Sequence, residues 1–258
     1  MNIRESFDWK EPYHMINREE RNVCAILYHL LLVNNNTLSF LEFLNKPDYL
    51  ETESSIFFEY SQLRDIWYNF KNNEIKRNYI LNSLGYSQNH WLRSCPRCDF
   101  NQYFGVGNKP SKEYIQSPSN WAMSHYDNTI ENNDEFLNAT KFKWCFNAKP
   151  DIVIHFGTEK AICIEAKFES GIGTYPSTDT DKSIFSKRKL DYESQTDTQV
   201  KIFDLLGIQA DFYILSKKKS KNNKQNCKTH KSITWKEVFS ILDTSNVPEY
   251  IQNWILRF

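Results

Sequence analysis

Residues 149–167 read Lys149-Pro150-Asp151-Ile152-Val153-Ile154-His155-Phe156-Gly157-Thr158-Glu159-Lys160-Ala161-Ile162-Cys163-Ile164-Glu165-Ala166-Lys167. Two apolar runs flank Gly157, so the stretch is expected to form two short strands joined by a tight turn. Side chains alternate along a strand. Glu165 and Lys167 therefore share a face with Ala161 and Cys163, and Asp151 shares one with Val153 and His155 on the neighbouring strand. A hairpin brings Asp151 alongside Glu165 and Lys167. Pro150 sets the local backbone and ends whatever precedes it. Apolar residues occupy both faces of both strands, the pattern of strands covered on each side.

Two carboxylates about 4 Å apart repel by roughly 4 kcal/mol at an effective dielectric of 20, so a cation is needed beside them. Lys167 supplies one charge, and a hard, oxygen-liganded Mg²⁺ or Mn²⁺ would supply the rest. Such an ion polarises a phosphodiester and lowers the pKa of an attacking water. A lysine can orient that water or steady the charge developing on phosphorus. The plain alternative is a surface hairpin in which Glu165 and Lys167 form an ion pair worth ~0–1 kcal/mol. The apolar residues on both strand faces argue against a solvated edge.

Working outward, the first half of the chain reads as helical. Arg18-Glu19-Glu20-Arg21 leads into Val23, Ile26, Leu27, Leu30 and Leu31 at helical spacing, with acids in the first turn. Further helices are expected at 37–44, 61–72 and 74–84, the last ending at Gly85. Residues 91–119 are irregular, punctuated by Gly105, Gly107, Pro110 and Pro118. A helix is expected over 120–138, then Phe142–Phe146 as a strand, then the two strands above. A polar loop over 169–187 follows, then a helix near 190–206 stopped by Gly207, and a strand over 211–215. Thr234 and Glu237 have capping-box spacing and open a final helix. The fold class is thus α/β, a mixed sheet flanked by helices. The boundary is drawn between a helical N-terminal region, 1–115, and a core, 116–258.

Pro150-Asp151, thirteen intervening residues and Glu165-Ala166-Lys167, in this order of elements, resemble the PD-(D/E)xK nuclease superfamily and its restriction-endonuclease-like fold. That family's core runs helix, three strands, helix, strand. The likeness covers roughly the C-terminal 140 residues and extends to Thr234-Trp235-Lys236-Glu237-Val238 after the last strand. It implies Asp151 and Glu165 as metal ligands, the carbonyl of Ala166 as a third, and Lys167 as the catalytic lysine. Many members carry a glutamine on the following helix, and Gln199 fits that place better than Gln195. Many also add an acid from the preceding helix, for which Glu131 is preferred over Asp134 and Glu135. The implied activity is Mg²⁺- or Mn²⁺-dependent endonucleolytic hydrolysis of DNA, in restriction or another antiphage defence. A homodimer or a defence partner protein goes with it, since cutting both strands takes two sites. The alternatives are a catalytically silent or partner-dependent nucleic-acid-binding protein on the same fold, or a nuclease for RNA or branched DNA.

Composition bounds these expectations. The chain has 258 residues, with 32 basic against 32 acidic. No global polycation argues for nucleic acid, so that case rests on local patches. One patch lies between Asp211 and Glu237, where no acid interrupts Lys217, Lys218, Lys219, Lys221, Lys224, Lys228, Lys231 and Lys236. Lys182, Lys187, Arg188 and Lys189 form another. The N-terminus lacks the apolar core of a signal peptide, and the longest apolar run, 24–33, is too short to span a bilayer. A cytoplasmic location and reduced cysteines are expected. Cys95-Pro96-Arg97-Cys98 has half a zinc knuckle's spacing, without a second pair to complete it.

Overall fold

The computed structural model describes residues 19–50, 52–106, 110–168, 170–218 and 229–256. In chain order the elements begin α1 (Glu20–Leu31), α2 (Asn36–Phe43), β1 (Ser54–Phe58), α3 (Gln62–Asn69), α4 (Asn73–Ser83), α5 (Arg97–Tyr103), α6 (Met123–Tyr126) and α7 (Asn133–Asn147). They continue with β2 (Ile152–Phe156), β3 (Lys160–Lys167), β4 (Thr174–Tyr175), α8 (Asp179–Arg188), β5 (Glu193–Ser194) and α9 (Gln195–Leu206). The last are β6 (Gln209–Ser216), β7 (His230–Thr234), α10 (Trp235–Ile241) and α11 (Glu249–Ile255).

The chain divides into two compact units, neither continuous in sequence. The first comprises residues 1–60, 150–172 and 207–258, and the second 61–149 and 173–206. This differs from a boundary at 115/116. Residues 54–58 form a strand that pairs with β2, which draws the N-terminal segment into the sheet and makes 61–149 an excursion out of it.

The first unit is built on a five-stranded mixed sheet in the order β1-β2-β3-β6-β7. β1, β2 and β3 are antiparallel neighbours, whereas β3–β6 and β6–β7 are parallel. Gly157, with φ +63°, opens the β2–β3 turn in the left-handed region that glycine enters without steric cost. The register pairs Val153 with Cys163 and Ile152 with Ile164, so the alternation expected along both strands holds. One sheet face, with Ile152, Ile154, Ile162, Ile164 and Ala166, joins a core supplied by α1, α2, α10 and α11. The other face carries Val153, Ala161 and Cys163, also fully buried.

Helix α1 follows its amphipathic pattern, burying Val23, Cys24, Leu27, Leu30 and Leu31. The chain then bends by 106° into α2 through Asn34 and Asn35, both at positive φ. Asparagine tolerates that conformation better than most residues. Among the described residues no single helix is long and apolar enough to cross a membrane. At the sheet's far end Thr234 caps α10, with the reciprocal Glu237 bond of a full capping box, as its spacing indicates.

In the second unit four expectations change, the first being that residues 97–103, inside the stretch expected to be irregular, form α5. Residues 142–146 are not a strand but the last turns of α7. A short aromatic run is ambiguous between strand and buried helix on periodicity alone. Here the Asn132 side chain accepts from the amides of Asp134 and Glu135 and starts a helix that runs on through Phe146. The expected helix over 120–138 therefore begins at Asn133 instead. Residues 179–188, within the stretch expected as loop, form α8, capped by the Thr178 hydroxyl. Helices α3, α4 and α9 lie where expected, with Gly85 and Gly207 at positive φ just beyond α4 and α9.

Candidate active site

The C-terminal end of β3 carries the charge cluster. Glu165 is 1 % exposed and Lys167 9 %, and the Lys167 ammonium lies 2.6 Å from a Glu165 carboxylate oxygen. Extending the β2–β3 register by one pair sets Asp151 opposite Glu165. The Ala166 amide donates to Asp151 Oδ2 at 2.8 Å, which fixes that carboxylate beside the strand. From the far side of β3, the Trp235 indole donates to the Lys167 carbonyl at 3.2 Å and anchors the strand end.

A third carboxylate completes the cluster. Glu20, in the first turn of α1, lies 3.3 Å from Lys167 Nζ. Its other oxygen accepts from the Phe168 amide at 3.0 Å and the Ser170 hydroxyl at 2.7 Å. One ammonium is thus surrounded by Glu165, Glu20 and Asp151. Sequence reading noted Glu20 only as a first-turn acid. Its phase held the signal: Glu20 precedes Val23, Cys24, Leu27 and Leu31 on one helical stripe, so an acid there points with the buried face.

The electrostatics follow from this imbalance. Burial first, and then Glu165, push the Asp151 carboxyl up to about 7, against the Ala166 amide and Lys167, which pull it down. Burial alone would lower the Lys167 ammonium, but Glu165, Glu20 and Asp151 outweigh it and hold it above its ordinary value. Cys24, one turn along α1, is raised by burial and by the same three carboxylates. It is an inert thiol at neutral pH.

The structure brings together Asp151, Glu165, Ala166 and Lys167, four residues expected at the site. Gln199 is buried on α9, and Glu131 is exposed just ahead of α7; both belong to the second unit. Within the first unit, the acid from a helix that stands beside Lys167 is Glu20, in the first turn of α1. Among the described residues no three Asp, Glu, His or Cys side chains stand in a ready ligating arrangement. Glu165 and Glu20 share the Lys167 ammonium instead. The chemistry of the donor set nevertheless fits a hard divalent cation. Its donors are all oxygens, and two carboxylates, Glu165 and Glu20, already share the single Lys167 ammonium.

Other expected features separate cleanly. His155 Nε2 lies 2.8 Å from the Tyr60 hydroxyl, and burial lowers the ring's pKa, so it is a packed histidine. Of the long lysine run, Lys219, Lys221, Lys224 and Lys228 lie outside the described residues. Lys217 sits 3.9 Å from the Phe168 ring centroid, adding a cation at the β3–β6 end of the sheet. Arg188, expected in the second basic patch, is instead clasped by Asp127 and by the carbonyls of Asp127 and Ile130.

Compared with protein-family models, curated proteins and solved structures, the chain gives no match. Its function has to be argued from the site.

Proposed function

We propose that the chain is a divalent-metal-dependent nuclease of restriction-endonuclease-like fold that hydrolyses DNA phosphodiester bonds. The observation carrying this reading is the buried Lys167 ammonium set among Glu165, Glu20 and Asp151 at the end of two central strands. A lone lysine facing three carboxylates leaves net negative charge in a place where burial disfavours it. A purely structural ion pair has no need of that excess.

The element order supports the fold assignment. Helix α1, antiparallel β1-β2-β3, helix α9 and parallel β6 repeat the helix, three strands, helix, strand order of that core. In chain order α2 stands between α1 and β1, residues 61–149 between the first two strands, and β4, α8 and β5 between β3 and α9.

Asp151, Glu165 and the Ala166 carbonyl would hold the metal, with Glu20 as a further acidic residue from the first helix. When bound, a Mg²⁺ or Mn²⁺ ion polarises the phosphodiester and acidifies the attacking water. Lys167 holds a proton at Nζ well above neutral pH, so it acts as a fixed cation: it orients the water and stabilises the negative charge gathering on the phosphoryl oxygens. The Ala166 amide and the Trp235 indole hold Asp151 and the Lys167 backbone in place, so these groups need little rearrangement during the reaction.

The test is cleavage of supercoiled plasmid and of single-stranded DNA with Mg²⁺ or Mn²⁺, beside Lys167→Ala. Metal-dependent cutting that disappears in the variant supports the reading. Cutting that survives the substitution, or none from the wild-type chain with either ion and substrate, counts against it.

A further inference from the structure

The second unit contains a cleft of about 670 Å³ between α4, the 91–96 turn and the start of α5. Arg77, Arg93, Arg97 and Lys112 line it, against a single acid, Glu74. Among the described residues none of these four cations has a carboxylate within ion-pair distance. The two most enclosed arginines are instead pinned by neutral acceptors. Arg77, 9 % exposed, donates Nη1 to the Leu92 carbonyl at 2.9 Å and stacks on the Phe100 ring with 5.1 Å to its centroid. No partner is recorded for its Nε or Nη2 among the described residues. Arg93 donates to the Ser87 and Tyr86 carbonyls and to the side chains of Asn78 and Asn82.

Such pinning orders the guanidinium groups without neutralising them. Burying an arginine beside neutral acceptors costs desolvation, and like charges lining one cleft repel. A folded chain that bears both terms has a preformed anion site. Planar, forked donors in a fixed array suit phosphate oxygens. Two exposed aromatics adjoin the lining segments in sequence: Trp91, 51 % exposed, two residues before Arg93, and Tyr114, 53 % exposed, two residues after Lys112. Basic groups interleaved with exposed aromatic faces suit ligands that carry phosphates and bases together. The cleft volume lies within the roughly 300–1,000 Å³ of small-molecule sites.

We infer that this cleft binds nucleotide phosphates, either along a single-stranded nucleic acid or on a free nucleotide. The inference stands on the second unit alone and does not depend on the metal chemistry of the first.

The experiment is fluorescence anisotropy of a labelled 20-nucleotide oligothymidylate with the full-length chain in EDTA, which removes metal-dependent cleavage from the readout. Wild type is compared with Arg97→Glu/Lys112→Glu, two exposed side chains whose reversal leaves the fold intact, checked by thermal unfolding. The expected result is at least a tenfold weaker affinity in the double variant and a shallower dependence on salt, since each lost phosphate contact removes about 0.7 from the logarithmic slope on a single strand. Arg77→Lys, which keeps the charge and loses the fork, is expected to weaken binding by a smaller factor. A second arm uses a labelled nucleoside triphosphate. Binding of that probe, lost in the double variant, with little affinity for the oligonucleotide, assigns the cleft to a free nucleotide. If neither probe binds, or affinity for both stays within twofold in a folded double variant, the inference is overturned.

Discussion

Lys167 and Arg188 are cations with largely covered side chains, one in each unit, and they are treated in opposite ways. Arg188 meets one carboxylate, that of Asp127, and its other donors reach the carbonyls of Asp127, Ile130 and Glu131 and the Asn133 side chain. The Phe136 ring lies 4.0 Å from the guanidinium carbon. One charge answers another and the remaining hydrogen bonds are filled, so the clasp is complete. Lys167 meets two carboxylates, those of Glu165 and Glu20, and burial first, then Glu165, push the nearby Asp151 carboxyl up to about 7. The cleft lined by Arg77, Arg93, Arg97 and Lys112 is the inverse case, positive charge left over. On the proposed reading, it is the imbalance of charge rather than burial itself that sets the candidate sites apart from the clasp.

The comparison can be broken most directly at its two cations. Lys167→Ala is expected to reduce metal-dependent cleavage by about 10³-fold, some 4 kcal/mol of transition-state stabilisation. The comparable change at Arg188→Ala is expected in stability rather than chemistry, about 3–5 kcal/mol by urea unfolding, because Asp127 is left buried without its partner. If Arg188→Ala abolished cleavage in a protein of unchanged stability, the division between clasp and site would fail.

Glu20→Gln sharpens the comparison at the carboxylate that sequence reading did not assign to the site. It keeps the shape and the acceptor for the Phe168 amide, and removes one negative charge. Cleavage is expected to drop roughly 10- to 100-fold, the usual loss when a group supporting a metal site is removed, with stability nearly unchanged.

The third test reads charge balance through pH. A carboxyl whose folded pKa is raised stabilises the fold fully below its unfolded value near 4, and that stability is lost as pH rises through the folded value near 7. The metal-free wild type is therefore expected to lose stability between about pH 4 and pH 8. Asp151→Asn should remove that loss and be the more stable protein at pH 8, by about 1–2 kcal/mol, with no advantage at pH 4. Thermal unfolding across pH checks it, with roughly 2–4 °C expected per kcal/mol at this chain length. Adding Mg²⁺ should raise the wild-type unfolding temperature more at pH 8 than at pH 6, because the ion competes with the Asp151 proton. It should have no such effect on Asp151→Asn.

The smallest effect is expected at Asp211. Burial would raise its carboxyl, but hydrogen bonds from Lys46 and Tyr49 outweigh it and hold the group below its ordinary value. Its contribution is present above about pH 4 and fades as pH falls below that. Asp211→Asn should cost less than about 1 kcal/mol at pH 7 and progressively less as pH falls below about 4, read by the same unfolding series.

How much of this was legible beforehand depended on the range of the interaction involved. The hairpin of β2 and β3, and the convergence of Asp151, Glu165 and Lys167, were written in alternation of period two and a single glycine turn, all within nineteen residues. The caps at Thr234 and the stops at Gly85 and Gly207 were legible for the same reason: each is chemistry between residues a few positions apart. Phe142–Phe146 could not be decided that way, because a five-residue aromatic run satisfies either period. Its assignment turned on a cap ten residues upstream at Asn132.

By itself, the sequence determined three of the sheet's five strands, β2, β3 and β6, and the four residues at its charged end. Only the tertiary structure decided that residues 54–58 form the first strand, that 61–149 leave the sheet and return, and that Glu20 arrives beside Lys167 from 147 positions away. Local periodicity reports which face of an element is buried and says nothing of its neighbours. Pairing distant segments depends on shape and burial summed over the whole fold, and that sum placed the third carboxylate.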